Sequence, residues 1–313
     1  MRAPSQRTPP APRRPVLGAG LALVAASACW GLGTVATKAL LGEVPPLALL
    51  VVQLVPSVAF LWAAVPLTRA PLRLDRAAAL AALSGLLEPG LAYTVGLFGL
   101  RLTLASSAAL IGAAETPMTV LLAAVFLRER IGGRTLLRVA AAAAGVALVV
   151  LPHAEGLGDG AFLGDVLVGV AALLAAAYVT VSRRLVGGIA PLPLAALQQT
   201  VGLLWALLAL ALCRGAAAPF RLSLPTALWA AATGVVQYAF SFWLYLSALR
   251  RVPANRAALY LTLIPVFGVA GAAAALGERL ALVQWVGAAV VVGAVQAVVR
   301  ADRRAAGAAT ARP

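Results

Sequence analysis

The chain has 313 residues, of which 62% are hydrophobic and only 11% are charged, and its mean hydropathy is +0.96. Soluble domains carry roughly 45–50% apolar and about 25% charged residues, so this composition excludes a water-soluble globular protein and favours an integral membrane protein. The net charge of +15 comes from arginines spread along the whole chain. We therefore do not interpret it as a nucleic-acid-binding surface.

Apolar stretches separated by charges or by Pro and Gly predict an all-α integral membrane protein with ten transmembrane helices. A helix needs about 20 apolar residues to cross a bilayer. In chain order, helices 1 to 10 are predicted at residues 19–41, 46–68, 77–99, 104–126, 134–152, 161–182, 192–213, 226–248, 253–276 and 281–299. Residues 1–18 and 301–313 are predicted as disordered tails, and residues 154–160 as a linker.

The second half of the chain repeats the first. Residues from Gly85 onward align without a gap with those from Gly234 onward, and residues from Pro46 onward align with those from Pro191 onward. The two repeats cover residues 19–153 and 161–300, with five predicted helices each. Because five is an odd number, the second repeat enters the membrane in the opposite orientation. Inverted repeats of this kind are typical of secondary transporters, which hold their substrate between the repeats.

The distribution of charge orients the predicted helices. If the amino terminus is cytoplasmic, most of the 25 basic residues fall in the inner loops and in the two tails. Basic residues concentrate on the cytoplasmic side of membrane proteins. We therefore expect a multi-pass protein of the inner (plasma) membrane with both termini in the cytoplasm, and we expect the linker 154–160 on the outer side.

Short motifs on this frame resemble the drug/metabolite transporter superfamily, and its EamA type in particular. They are Trp30-Gly31 followed by Lys38 in helix 1, prolines at the start of helices 2 and 7, and Glu-Arg pairs at the ends of helices 4 and 9 (Glu129-Arg130 and Glu278-Arg279). The resemblance covers residues 19–300. It implies an inner-membrane carrier that exports or exchanges a small metabolite or drug by alternating access, and it identifies no substrate.

Two acidic residues are predicted within the bilayer, Glu88 in helix 3 and Glu115 in helix 4. An ionised side chain at the bilayer centre costs at least about 2.5–3.5 kcal/mol. Both acids precede helix breakers, Pro89-Gly90 and Thr116-Pro117, and broken helices at the midplane are where transporters expose polar backbone to their substrates. We expect the two carboxyls to lie close together and to exchange a proton or bind a cation. Neutral carboxyls hydrogen-bonded within the bundle are the alternative.

Other polar and aromatic side chains complete the candidate substrate site. Helix 8 carries a polar residue at every fourth position, which predicts one polar stripe along one helical face. Helices 1, 6 and 9 add aromatic and polar residues that suit an organic substrate. The candidates are Thr233, Gln237, Ser241 and Tyr245 in the stripe, Trp30 and Tyr178 in helices 1 and 6, and Asn255, Tyr260 and Thr262 in helix 9.

Four further polar residues receive structural interpretations. Gln53 and Gln198 share a repeat position, and we expect them to make contacts between helices. Lys38 is predicted to extend to the lipid headgroups, with contact to an anionic substrate as the alternative. Glu278, beside Arg279, is predicted to form a local ion pair.

The sequence offers no catalytic or metal-binding set. His153 is the only histidine, whereas a zinc site needs three or four ligands. Residues 156–159 match a string found in intramembrane aspartyl proteases, but that chemistry needs a second carboxylate in the membrane. We expect no enzyme activity, no cofactor and no metal. The expected partners are a small-molecule substrate and the lipid bilayer, without nucleic acid, and a homodimer is compatible with the sequence. A channel or scaffold, and last an intramembrane enzyme, are the alternative functions.

Overall fold

The computed structural model describes residues 14–68, 71–72, 75–127, 132–155, 160–185, 189–213, 222–249 and 260–310. All regular structure within these ranges is helical. We number the helices by the predicted segments that they occupy, and three of them consist of two pieces. They are α1 (Arg14–Leu40), α2 (Pro46–Leu67), α3 (Arg76–Leu83 and Ala92–Leu102), α4 (Ala105–Gly112 and Glu115–Leu127), α5 (Gly133–Glu155), α6 (Ala161–Leu185), α7 (Pro191–Leu212), α8 (Leu224–Gly234 and Ser241–Leu249), α9 (Ile264–Leu276) and α10 (Leu282–Thr310).

Seven of these segments are long and apolar enough to cross a membrane, namely α1, α2, α3, α4, α6, α7 and α8. Three shorter apolar stretches lie in α5, α9 and α10, at Leu136–Val149, Ile264–Leu276 and Leu282–Ala297. The protein is therefore a helical membrane protein with several spans. An observed helix occupies each of the predicted segments.

Both predicted tails are shorter than expected. Helix α1 begins at Arg14, and α10 continues to Thr310, so residues 14–18 and 301–310 are helical instead of disordered. Alanine and arginine have the highest helix propensities, and residues 301–310 consist mainly of these two. A segment of this composition can continue a helix that is already formed. The remaining tail residues and most of the predicted linker lie outside the described ranges.

Helices α3 and α8 are each interrupted near their middle. In α3, a 3₁₀ turn (Ser84–Leu86) is followed by a π turn (Leu87–Leu91), and Glu88 is extended within it, with φ −145° and ψ 122°. Proline at position 89 causes this break, because it lacks an N–H group and its ring clashes with the preceding turn. The repeat partner of this region is Val235–Phe240, which is also a π turn.

Helices α4 and α9 are interrupted at matching positions as well. A turn at Ala113 and Ala114 separates the two pieces of α4, and a turn at Thr262 and Leu263 precedes α9. These two turns align with each other in the sequence repeat. The interruptions in α3 and α4 lie next to Glu88 and Glu115, and both have counterparts in the second repeat.

Corresponding helices of the two repeats make corresponding contacts. Helix α3 packs on α6 as α8 packs on α1, α4 packs on α6 as α9 packs on α1, and α2 packs against its counterpart α7. Two glycines at equivalent positions allow the closest approaches. A Cβ atom on Gly85 would lie 2.1 Å from the carbonyl oxygen of Gln198, and one on Gly234 would lie 2.1 Å from that of Gln53. Only glycine leaves room for the facing backbone at these two crossings.

Gln53 and Gln198 hydrogen-bond to other helices, as their shared repeat position predicted. The Gln53 amide donates to the hydroxyls of Thr37 and Thr233, both at 3.0 Å, and its oxygen accepts from Tyr238 at 3.0 Å. The Gln198 amide donates to Ser84, the repeat partner of Thr233, at 2.9 Å, and its oxygen accepts from Tyr178 at 3.0 Å. Each glutamine thus links three helices.

The last helices of the two repeats, α5 and α10, pack mainly on each other. Gly145 and Gly287 face each other there, and a Cβ atom on Gly287 would lie 2.7 Å from the Gly145 carbonyl oxygen. The buried Gln284 adds a hydrogen bond from its amide to the Val149 carbonyl at 3.1 Å. This pair lies to one side of the bundle formed by the other helices.

Candidate functional site

A cavity of about 310 Å³ lies between the two repeats. Its walls come from α1, α3 and α4 of the first repeat, and from α6, α8 and the segment around α9 of the second. Helices α2, α5, α7 and α10 contribute none of its described lining residues. The cavity is therefore bounded by matching sets of helices, and all four helix interruptions border it.

Glu88 and Glu115 both line this cavity. Glu88 lies at the break in α3 and interacts with the side chain of Tyr93. Glu115 is the first residue of the second piece of α4, and its carboxyl has no hydrogen-bond partner among the described residues. The two carboxyls are close enough for electrostatic interaction. Both side chains are half-buried and line the cavity.

The matching positions of the second repeat carry uncharged side chains that also line the cavity, Gln237 and Ile264. The Gln237 oxygen accepts a hydrogen bond from Thr37 at 2.8 Å. Its side chain packs directly over Gly33 of α1, where a Cβ atom would lie 2.7 Å from the Gln237 Cγ atom. Gln237 is thus held against α1, and the two acids are held on α3 and α4.

Aromatic side chains form much of the remaining wall. Three of the predicted candidates, Trp30, Tyr178 and Tyr245, line the cavity. Trp30 makes edge contacts with Phe242 and Tyr245, with ring centroids 5.3 Å and 5.6 Å apart.

Three aromatic residues of the wall escaped the sequence-based prediction, namely Tyr93, Tyr238 and Phe242. Tyr93 and Tyr238 stack across the repeats at 4.8 Å. Tyr93 and Phe242 occupy equivalent repeat positions. An aromatic residue at the same place in both halves is a signal that could have identified Tyr93 and Phe242 from the sequence.

The predicted polar stripe of α8 only partly faces the cavity. Gln237 and Tyr245 line it, whereas Thr233 and Ser241 are buried in the protein and do not. Thr233 donates to the Ala230 carbonyl at 2.8 Å and accepts from Gln53. The Ser241 hydroxyl donates to the backbone carbonyl of Gln237, four residues earlier. Small hydroxyl side chains in helices commonly satisfy their hydrogen bonds in this local way.

The candidates predicted near α9 do not line the cavity. Tyr260 packs beside Ala19, Leu23 and Ala248, and its backbone carbonyl accepts from Ser27 at 2.9 Å. Thr262 is buried and lies outside the lining. The neighbouring residues that do line the cavity are Leu261, Ile264 and Pro265. Asn255 lies outside the described residues.

Two charged side chains hold the turn between α3 and α4. The Lys38 ammonium donates to the carbonyl oxygens of Leu100 and Arg101, at 2.9 Å and 3.1 Å. The Glu278 carboxylate accepts from the backbone N–H groups of Ala105 and Ser106, at 2.8 Å and 2.9 Å, and forms no ion pair with Arg279 among the described contacts. One charge caps the end of α3 and the other caps the start of α4, in accord with the helix dipoles.

A third contact reaches the same turn. The Thr103 hydroxyl donates to the carboxylate of Asp165 on α6. Leu100 and Ala108, on either side of the turn, line the cavity. We call this set of contacts, made by Lys38, Asp165 and Glu278, the charged clasp. It joins α1, α6 and the end of α9 to the turn that borders one end of the cavity.

Comparisons with known proteins agree with this architecture. Fifteen chains of solved structures match the protein. One of them, titled "Crystal structure of protein", is 23% identical, with a TM-score of 0.59, and the alignment covers 94% of this chain and 99% of that chain. At this identity the likeness establishes the fold alone. A search of curated proteins gave no match.

A family model identifies the chain more specifically. The model of the EamA-like transporter family matches twice, over residues 17–151 and 162–300. The two matches coincide with the two repeats found in the sequence, and together they cover most of the chain. The protein therefore belongs to the EamA-like transporter family, which is part of the drug/metabolite transporter superfamily.

Proposed function

We propose that the protein is a secondary transporter of the inner (plasma) membrane that exports or exchanges a small organic molecule by alternating access. The observation that carries this proposal is the cavity between the two repeats, bordered by four helix interruptions and by two acidic side chains. Transporters built from repeats bind their substrates at the repeat interface, next to broken helices. The cavity lies within one chain, so a homodimer is not required for a complete site.

The proposed topology has ten spans and two inverted five-helix repeats, with both termini in the cytoplasm. Two features support it. Each repeat contains five helical segments, and cytoplasmic termini leave most basic residues in the inner loops and tails. In this orientation the charged clasp lies at the outer end of the cavity.

The proposed coupling is an exchange of protons for substrate at Glu88 and Glu115. An ionised carboxylate within the bilayer has a high free energy. Binding of a proton or of a cation lowers it. When a cation leaves the cavity, a proton replaces it, and when a cation enters, the proton is released. Gln237 and Ile264, at the equivalent positions of the second repeat, cannot ionise, so only the first repeat takes part in this exchange.

A channel or scaffold is the second candidate function, and an intramembrane enzyme the third. A channel needs a path that is open at both ends at once, whereas the charged clasp ties together five helices at one end of this cavity. The lining residues include no pairing of a nucleophile with a base, so no described geometry favours an enzyme.

Thiol labelling tests the transport mechanism without knowledge of the substrate. A single cysteine is placed in the cavity wall by Thr34→Cys, in a background in which Cys29 and Cys213 are replaced by alanine. A membrane-impermeant maleimide is then applied to intact cells and, separately, to inverted membrane vesicles. Glu278→Ala removes the carboxylate that caps α4, and we expect it to increase labelling from the outer side severalfold and to decrease labelling from the inner side.

The matched control is Arg279→Ala, which alters the neighbouring exposed charge and leaves the caps in place. We expect it to label like the parent. An increase from outside without a decrease from inside would indicate a channel. An increase from the inner side alone would reverse the proposed orientation, and unchanged labelling would show that the clasp does not control access.

A further inference from the structure

The charges in the cavity wall are all of one sign. The only ionisable acids among its described lining residues are Glu88 and Glu115, and no lysine, arginine or histidine is present among them. The single lysine of the chain, Lys38, is not among the lining residues, and its ammonium is held at the end of α3 by two backbone carbonyls. The described protein groups therefore supply no positive charge to balance these carboxylates inside the cavity.

The Glu115 carboxyl is open to the cavity. Its side chain is half-buried and lines the cavity, and no described residue donates a hydrogen bond to its carboxyl. The Glu88 side chain is also half-buried and interacts with Tyr93. A positively charged ligand would offset the repulsion between the two acids, and a ligand that also donates hydrogen bonds would bind the Glu115 carboxylate directly.

The rest of the wall suits the body of such a ligand. Six aromatic rings line the cavity, those of Trp30, Tyr93, Tyr178, Tyr238, Phe242 and Tyr245. Aromatic faces attract cations as well as apolar groups, and tryptophan and tyrosine do so most strongly. A volume of about 310 Å³ lies at the lower end of the range of small-molecule sites, roughly 300–1,000 Å³.

We propose that this cavity selects small organic cations, an amine joined to an aromatic or apolar body, and rejects molecules that carry a carboxylate. The amine lies between Glu88 and Glu115, and the body lies against the aromatic wall. Zwitterions such as amino acids are disfavoured because their carboxylate would enter a site that already holds two acids. The inference names the substrate class of the transporter proposed above, and as a statement about transport it rests on that function.

Binding to the purified, full-length protein tests the selectivity. Three ligands share one aromatic body and differ in charge: phenethylamine is a cation, phenylalanine a zwitterion and 3-phenylpropionate an anion. Isothermal titration calorimetry in detergent at pH 7.5 measures each affinity. We expect phenethylamine to bind at least about tenfold more tightly than phenylalanine, because the carboxylate of phenylalanine would face the two acids. We expect no measurable binding of 3-phenylpropionate.

Two variants test whether the Glu115 charge is responsible for the binding of the amine. Glu115→Gln keeps the shape of the side chain and removes its charge, and we expect it to weaken phenethylamine binding about tenfold or more. Glu43→Gln, at an exposed position outside the cavity, is the matched control and should bind like the parent. Thermal melting shows whether each variant is folded, and the comparison of the three ligands on the unaltered protein does not depend on any variant.

The outcomes separate the two proposals. Equal or tighter binding of phenylalanine or 3-phenylpropionate, or phenethylamine binding that is unaffected by Glu115→Gln, would overturn the cation selectivity and leave the labelling test of alternating access intact. Selective amine binding together with failure of the labelling test would support the site and contradict the carrier mechanism.

Discussion

The two repeats break their helices at the same places but differ in what they present there. The first repeat carries Glu88 and Glu115, and the second carries Gln237 and Ile264 at the equivalent positions. The glutamines that link helices, Gln53 and Gln198, are in contrast present in both. Helix breaks and close helix crossings are part of the packing of each repeat, so they occur in both. The two repeats share one cavity, so acidic residues from one repeat are enough to give it negative charge. The comparison separates residues that build the frame from those that give the cavity its chemistry.

The largest effect is expected from removing the charge that only the first repeat carries. Proteoliposomes with an acidic lumen are supplied with benzyltrimethylammonium, a permanent cation that does not cross the membrane as a neutral base. We expect Glu88→Gln and Glu115→Gln each to abolish its pH-driven accumulation, because glutamine keeps the shape of the side chain but cannot exchange a proton. Radiolabelled uptake over pH 5.5–8.5 measures this.

The equivalent change in the second repeat provides the comparison. Gln237→Met removes the hydrogen bond with Thr37 and alters no charge, so the rate is expected to fall while its dependence on the pH gradient persists. If both glutamate variants transport at the parental rate at every pH, the carboxyls are structural and the two repeats are equivalent in function.

A smaller effect, of equal size in the two repeats, is expected from filling the closest helix crossings. Gly85→Ala and Gly234→Ala each introduce a methyl group that would lie 2.1 Å from a facing carbonyl oxygen. Overpacking of this kind costs about 1–3 kcal/mol, so both variants should unfold at lower temperature in detergent by similar amounts. Gly293→Ala, where the added atom meets open space, is the control. A large loss at one crossing only would show that the frames of the two repeats are not equivalent.

The smallest effect concerns the polar stripe of α8. In the background without Cys29 and Cys213, cysteines at positions 237 and 245 face the cavity and should react with a small water-soluble maleimide. Cysteines at positions 233 and 241 replace buried residues and should react several times more slowly. Equal reactivity at all four positions would mean that the whole stripe borders water, and α8 would then differ from the arrangement described here.

Hydropathy and proline predicted the frame well, because both act locally. Pro46 and Pro191 begin α2 and α7 as expected, since proline is favoured in the first turn of a helix. The break at Glu88 follows from Pro89 in the same way. The π turn in α8 was not predictable by this route, since no proline accompanies it. It was visible only through its alignment with the break in α3.

The charged clasp could not be predicted from sequence, because its partners are far apart along the chain. Glu278 lies beside Arg279, which favoured a local ion pair, but it follows Gly277, whose φ of 67° is a left-handed conformation that glycine adopts readily. This turn ends α9 and precedes the carboxylate that caps α4. The pairing of Lys38 with the end of α3 likewise depends on how α1 crosses α3. The stacking of Tyr93 on Tyr238 was missed for the same reason, since this contact joins the two repeats.

The contact between α5 and α10 has a mechanical consequence. These helices are the last of their repeats, they meet through Gly145 and Gly287, and they contribute no described residue to the cavity wall. This contact joins the two repeats away from the cavity. A rearrangement of the cavity helices therefore does not require the contact between α5 and α10 to be disrupted. Close packing of backbone on backbone makes this helix contact rigid, because the atoms that touch cannot move by side-chain rotation. In the proposed transport mechanism, α5 and α10 would stay packed on each other while the six cavity helices move.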